Sequence, residues 1–249
     1  MHASAPIFLF TDFGSADLYV GQVRAVLHGE APHVPVIDLL NDAPHFDVLA
    51  SAHLLAALVQ RLPMGSVTLA VVDPGVGGPR NAIAIEADGR WFVGPDNGLL
   101  SVVAGRARKT RCVTLDWMPP PESVSFHGRD LFAPAAARIA CGGFDPPTVS
   151  TPERVLEVQL DSGDLGQIIY IDHYGNAMTG MRSERIDGRC VIDVAGRTIA
   201  HARVFSGAPP GALLWYANSI GLVEIAANQA RAADLLGLAI GQRVGVADR

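Results

Sequence analysis

The feature that most limits what this chain can become is an alternation of two periodicities. From the N-terminus to about residue 140, short apolar runs are separated by stretches with helical spacing. Residues 7–10 (IFLF), 34–39 (VPVIDL), 67–72, 82–87 and 91–94 read as strands. Residues 17–29 read as a helix, and residues 47–61 as another, with Val48, Leu54, Leu55 and Leu58 on a related face. PDNG then reads as a turn and LLSVVAG as a short helix. Residues 130–141 (DLFAPAAARIAC) read as a further helix with Asp130 as its N-cap. This order predicts an α/β N-terminal domain with a mostly parallel sheet.

The pattern changes at GGFDPPTVSTPER, residues 142–154, where glycine, proline and hydroxyl residues dominate. Beyond it, residues 167–171, 190–194, 197–204, 212–216 and 222–226 read as strands, VAGRT as a hairpin-like turn, and only 230–237 as a helix. The expected organisation is an α/β domain over 1–143, a linker over 144–156 and a small β-rich, β-barrel-like domain over 157–249. No internal repeat interrupts it.

Composition excludes several classes. The net charge is −6, Lys109 is the sole lysine and the arginines are scattered, so nothing forms a basic stripe for nucleic acid or an anionic membrane. Cys112, Cys141 and Cys190 are odd in number and far apart. That argues against a disulfide framework or a thiolate zinc site and fits a reducing, cytoplasmic location. MHASAPIFLF lacks a basic n-region and reads as a first strand rather than a signal peptide. No apolar run nears the roughly 18 residues of a membrane span.

In open α/β sheets, ligands bind beyond the carboxyl ends of the strands. Polar residues just past those ends are therefore candidates: Asp12 in FLFTDFG, Asp73 in LAVVDPGVGG, Asp96 and Asn97 in FVGPDNG, and His127 to Asp130 in SFHGRD. Asp12 suits a vicinal diol such as a ribose, or satisfies local turn N–H groups. Asp73 is followed by Gly75, Gly77 and Gly78, which permit close backbone approach to a ligand. The loop has neither a Walker ending nor a GxGxxG fingerprint, so nucleotide phosphates are not indicated. Arg80, seven residues on, can pair with Asp73 and keep it ionised, either within a site or as a plain ion pair. His127 lies in a turn that opens a helix. A metal held by His127 and Asp130 lacks a third ligand at a standard spacing. Two C-terminal turns carry further polar clusters: Asp172 and Asn176 in IDHYGNAMTG, and Asn218, Ser219, Glu224 and Asn228 in YANSIGLVEIAANQA. Taken singly, either cluster reads as ordinary turn chemistry.

Taken together, TDFG, DLYVGQV, VVDPGVGG with its following arginine, FVGPDNGLL, FHGRDLFAPAAA, DHYGN and NSIGLVEIAANQARAADLLG resemble, in order and over nearly the whole chain, the S-adenosyl-L-methionine hydroxide adenosyltransferase family. The family is related to fluorinating and chlorinating enzymes that act on the same substrate. The resemblance implies an α/β N-terminal and a β-barrel-like C-terminal domain. It implies a catalytic Asp73, Arg80 and His127, with water or hydroxide attacking the 5′ carbon of S-adenosyl-L-methionine to give adenosine and L-methionine. By position it gives the ribose hydroxyls to Asp12, the methionine amino group to Asp172, adenine to Asn176, and the methionine carboxylate to Ser219. Glu224 and the backbone near Ala227 would line the adenine end. It further implies a homotrimer with the ligand between the N-terminal domain of one subunit and the C-terminal domain of its neighbour, and neither metal nor separate cofactor.

The chain departs from the family pattern at the amino-acid end. The second-domain motif is Asp172-His173-Tyr174-Gly175-Asn176 rather than DRFGN, Gly180 follows Thr179, and Ile220 stands where halogenating relatives have arginine. Those relatives also carry a tyrosine where Asp73 stands and a long N-terminal insertion not seen here, which argues against halogenation. A non-catalytic sensor of adenosine or S-adenosyl-L-methionine is the alternative from a different class.

Overall fold

The computed structural model describes residues 5–115, 125–142 and 156–248. The proline-rich MPPPES loop and all of the expected linker except Leu156 lie outside these residues. By internal contacts the chain divides into two compact units, Met1–Ala52 with Leu62–Ser162, and His53–Arg61 with Gly163–Arg249.

The first unit is built on a six-stranded mixed sheet. In chain order its elements are β1 (Ile7–Thr11), α1 (Leu18–Glu30), β2 (Val36–Leu40), β3 (Val67–Val71), β4 (Ala82–Ala87), β5 (Arg90–Pro95), α3 (Ser101–Arg106), β6 (Thr110–Thr114) and α4 (Ala133–Ala140). Helix α2 (Val48–Leu58) lies between β2 and β3 in sequence and continues as a single 3₁₀ turn. The sheet order is β2-β1-β3-β5-β4-β6. The first four strands run parallel, and β4 pairs antiparallel with both β5 and β6. The reversal has a local cause. Asp88 and Gly89, both with positive φ, join β4 to β5 as a two-residue hairpin, a turn that forces antiparallel pairing.

Strands β1 and β3 are buried along their whole length, as expected of central parallel strands covered on both faces. Ile7, Leu9, Val67, Leu69 and Val71 pack with Val23 and Leu27 of α1 and with Phe132, Ala136 and Ile139 of the α4 region. Asp17 caps α1, its carboxylate accepting from the Leu18 N–H at 2.6 Å.

The helix expected over 130–141 begins differently. Gly128–Phe132 form a π-helical turn that runs into α4, and His127 rather than Asp130 stands at its N-cap. The Asp130 carboxylate pairs with Arg129, its two oxygens accepting at 2.6 and 2.8 Å. Gly128 is needed beneath this turn: a Cβ there would stand 2.7 Å from Phe13 Cζ. Single π turns of this kind recur at functional sites.

The second unit holds β7 (Leu165–Ile171), β8 (Ala177–Arg182), β9 (Val191–Val194), β10 (Arg197–Ile199), β11 (Leu213–Ala217), β12 (Leu222–Ala227), α5 (Ala232–Leu236) and β13 (Gly245–Ala247). They form a four-stranded antiparallel sheet, β11-β12-β8-β7, and a three-stranded one, β10-β9-β13. Among the described residues these sheets do not close into a barrel. Their core gathers Ile168, Met181, Ile192, Ile199, Trp215, Val223 and Ile225. Ala195 and Gly196 turn the β9–β10 hairpin, as VAGRT suggested, but β10 stops at Ile199. Strands β6, β8 and β13 are additions to the sequence reading.

Candidate active site

Strand β3 ends at Val71, and Asp73 follows two residues later in a loop of two tight turns. The first is closed by Val76 N–H donating to the Asp73 carbonyl at 3.2 Å, the second by Gly78 N–H donating to Gly75 at 2.9 Å. Of the three glycines only Gly77 adopts a positive φ. Asn97 steadies the approach to this loop by donating to the Val72 carbonyl at 2.9 Å. The PDNG segment thus supports the Asp73 loop, and Asp96 is buried, accepting from Glu157 N–H at 3.2 Å.

The loop returns Arg80 onto Asp73. Arg80 Nε donates to Oδ2 at 3.0 Å and reaches Oδ1 at 3.2 Å, while Nη2 also donates to Oδ2. The two side chains are 12% and 4% exposed, so the pair is nearly dry. The guanidinium also lies 5.3 Å from the Phe132 ring centroid, which fixes its plane. Arg80 Nη2 further contacts His127 Nδ1 at 2.9 Å. A guanidinium has donors only, so Nδ1 must be the acceptor and the imidazole proton must sit on Nε2. Burial, and then the Arg80 charge, push the His127 pKa below its usual value against opposing pulls from Asp73 and Asp130. The histidine is therefore neutral and held in one tautomer. Among the described residues no group of three or more His, Cys, Asp or Glu side chains could hold a metal ion.

Asp12 stands one residue past β1. Phe46 N–H donates to its Oδ2 at 3.1 Å. Burial raises its pKa, opposed by that hydrogen bond. Asp12, Asp73 and His127 line one cavity of about 450 Å³ with Phe13, Tyr19 and Phe46, a volume suited to a small organic ligand. Phe126 packs edge-on against Phe13 and Tyr19, which are tilted to each other, with centroids 5.4–6.2 Å apart. Arg129 braces this wall: its guanidinium is 5.2 Å from the Phe126 ring, and it donates to Gln22 at 2.7 Å.

A second cavity, of about 720 Å³, lies wholly in the other unit. Asp172, Asn176 and Ala227 line it with Tyr174, Phe205 and Tyr216. Asn176 donates to Asp172 through both N–H and Nδ2, at 2.8 and 3.1 Å. Two expected residues are not among those lining this cavity. Ser219 is exposed and is not among the residues lining the cavity. Glu224 is 2% exposed and also not in the lining: it accepts from Tyr216 Oη and from Asn218 Nδ2, the latter at 2.8 Å.

The aromatic walls were not anticipated. Aromatics are only 6% of the chain, yet four face the first cavity and three the second, a clustering that composition does not reveal.

Fold and cavities define a two-unit α/β protein in which an aspartate, an arginine and a histidine converge beside an aromatic, nucleoside-sized cavity. Residues 7–149 match the SAM hydroxide adenosyltransferase N-terminal domain and residues 166–245 the C-terminal domain of the same family. The chain belongs to that family. It is 38% identical over 254 residues to the (R)-S-adenosyl-L-methionine hydrolase of Thermus thermophilus, covering 96% of this chain and 98% of that one. It is 40% identical over 261 residues to the enzyme of the same name from Salinispora arenicola, covering 98% of each. A fluorinase from Nocardia brasiliensis is more distant, at 23% identity over 213 residues and 71% of each chain. The crystal structure of a conserved protein from Thermotoga maritima superposes with a TM-score of 0.87 at 29% identity, covering 97% of this chain and 100% of that one.

Proposed function

We propose that this protein hydrolyses S-adenosyl-L-methionine to adenosine and L-methionine, with Asp73, Arg80 and His127 as its catalytic residues. The observation that carries the assignment is the dry Asp73–Arg80–His127 contact on the wall of one cavity with Asp12. Membership of the family and the hydrolase names of relatives matched over nearly their full length support it.

The sulfonium is already cationic, so methionine leaves without a proton and catalysis falls on the water. Asp73 Oδ1 is the less engaged carboxylate oxygen and takes one proton from it. His127 Nε2–H, fixed by Arg80, donates to the water oxygen and orients it. The oxygen bonds to C5′ as the C5′–S bond breaks, the bonding pair goes to sulfur, and the remaining O–H becomes the 5′-hydroxyl. Arg80 pairs with Asp73 and supplies positive charge as hydroxide character develops. Asp12 accepts from the ribose hydroxyls. A halide would meet the Asp73 carboxylate in the same cavity and be repelled by it, which disfavours halogenation.

Asp172, Asn176 and the Ala227 backbone hold the amino and adenine groups from the second cavity, and Ser219 meets the methionine carboxylate. We take the working form to be a homotrimer in which the two cavities of neighbouring subunits enclose one substrate. Tyr19, Phe46 and Val76 of the first cavity and Tyr174 of the second are exposed apolar side chains in the single chain, as surfaces covered by a partner are. Incubation with S-adenosyl-L-methionine, read by liquid chromatography, tests the activity: adenosine and methionine should form together, and a parent protein that leaves the substrate intact is the sensor instead.

A further inference from the structure

The hydrogen-bond arithmetic around Glu224 carries a consequence for the second cavity. Asn218 Oδ1 accepts from the backbone N–H of Ile220 at 3.1 Å and of Leu222 at 2.9 Å. Its amide therefore cannot turn round, and Nδ2 must face Glu224 Oε2, at 2.8 Å. The other Glu224 oxygen faces Tyr216, its direct cross-strand partner on β11. Burial raises the Glu224 pKa, opposed by the hydrogen bonds from Tyr216 and Asn218; as a carboxylate it only accepts, so the one O–H of Tyr216 is spent on it. What Tyr216 has left for the cavity it lines is a pair of lone pairs. The same cavity holds Asn176, whose Nδ2 gives one N–H to Asp172 and whose Oδ1 is an acceptor. Phe205 packs against the Tyr216 ring with centroids 5.1 Å apart, so the acceptor sits on an aromatic wall.

We propose that Glu224 is a positioning residue that fixes Tyr216 as a hydrogen-bond acceptor, and that Tyr216 thereby selects a flat heteroaromatic ring carrying an exocyclic amine over the ring carrying a carbonyl at that place. This rests on the reading that the second cavity takes the purine of the substrate.

The test compares adenosine (6-amino) with inosine (6-oxo) by titration calorimetry on the full-length protein. The parent should bind adenosine at least about tenfold more tightly, because the oxo group would meet lone pairs and stay unpaired. Tyr216→Phe keeps the ring and loses the acceptor, and the ratio should fall to within about threefold. Glu224→Gln is sharper. With Asn218 locked, the glutamine carbonyl must face Asn218 and its NH₂ must face Tyr216. Tyr216 then accepts and its own O–H is freed toward the cavity, so the preference should shift to inosine. A packing role alone would weaken both nucleosides and leave the ratio where it was. Adenosine binding to the parent with an unchanged ratio in both variants overturns the proposal. A parent that binds neither nucleoside overturns it by removing the purine reading on which it rests.

Discussion

Consider Arg80→Met. The substitution keeps a long side chain against Phe132 but removes every donor to Asp73 and the donor to His127. The Asp73 side chain is 4% exposed, so water replaces only a part of what is lost. Removing one partner of a buried ion pair costs about 3–5 kcal/mol, chiefly because the other charge is left dry and uncompensated. For a chain of 249 residues each kcal/mol moves the melting transition by about 2–4 °C, so the variant should melt on the order of 10 °C below the parent at neutral pH. The combination Arg80→Met with Asp73→Asn should recover most of that loss, since no charge remains to be desolvated. Calorimetric melts of the four proteins close the cycle. An Arg80→Met protein that melts within a degree or two of the parent, or a double variant that melts as the sum of the singles, would show that the pair is not the dry, mutually dependent unit described.

Other outcomes follow from the same geometry. Asp73→Asn should still bind adenosine yet lose at least about a hundredfold in kcat; a parent-like rate would remove Asp73 as proton acceptor. Asp12→Asn should raise KM by about tenfold or more while kcat changes less, as steady-state kinetics would report. For His127 the folded pKa lies below the unfolded value of about 6.5, so the unfolded chain takes up the proton first as pH falls. This contribution costs stability as pH drops from about 6.5 toward the folded pKa and is absent above that window. His127→Gln should flatten that part of the stability curve measured by urea titration, and the parent's kcat/KM should show an acid limb below about 6.5. Turnover should survive prolonged dialysis against a chelator; restoration of a lost rate by a divalent ion would contradict the mechanism.

Much of the fold was legible because the information is local. The apolar runs of β1 and β3 end at Phe10 and Val72, which marks Asp12 and Asp73 as residues beyond strand ends. The seven-residue spacing of Asp73 and Arg80 suggested the ion pair that the structure contains. What escaped depends on partners distant in sequence. AMTGMR gave no strand signal, because Gly180 sits mid-strand where a Cβ would come 2.6 Å from Leu165 Cβ, a demand set by β7. Asp130 looked like a cap, but the π turn starts earlier and sets His127 at the N-cap. The Glu224–Tyr216 contact escaped because no sequence pattern reveals that β11 sets Tyr216 directly opposite Glu224. The antiparallel β4 was signalled by its Asp-Gly turn, but the surrounding alternation favoured a parallel reading.

The central claim is that water attacks the 5′ carbon of the adenosyl group. Incubating the protein with S-adenosyl-L-methionine in ¹⁸O-labelled water and weighing the products tests it most directly. Adenosine should appear with one ¹⁸O in its 5′-hydroxyl, beside an equal amount of unlabelled methionine. Label-free adenosine, or products other than adenosine and methionine, would contradict the reaction assigned to Asp73, Arg80 and His127.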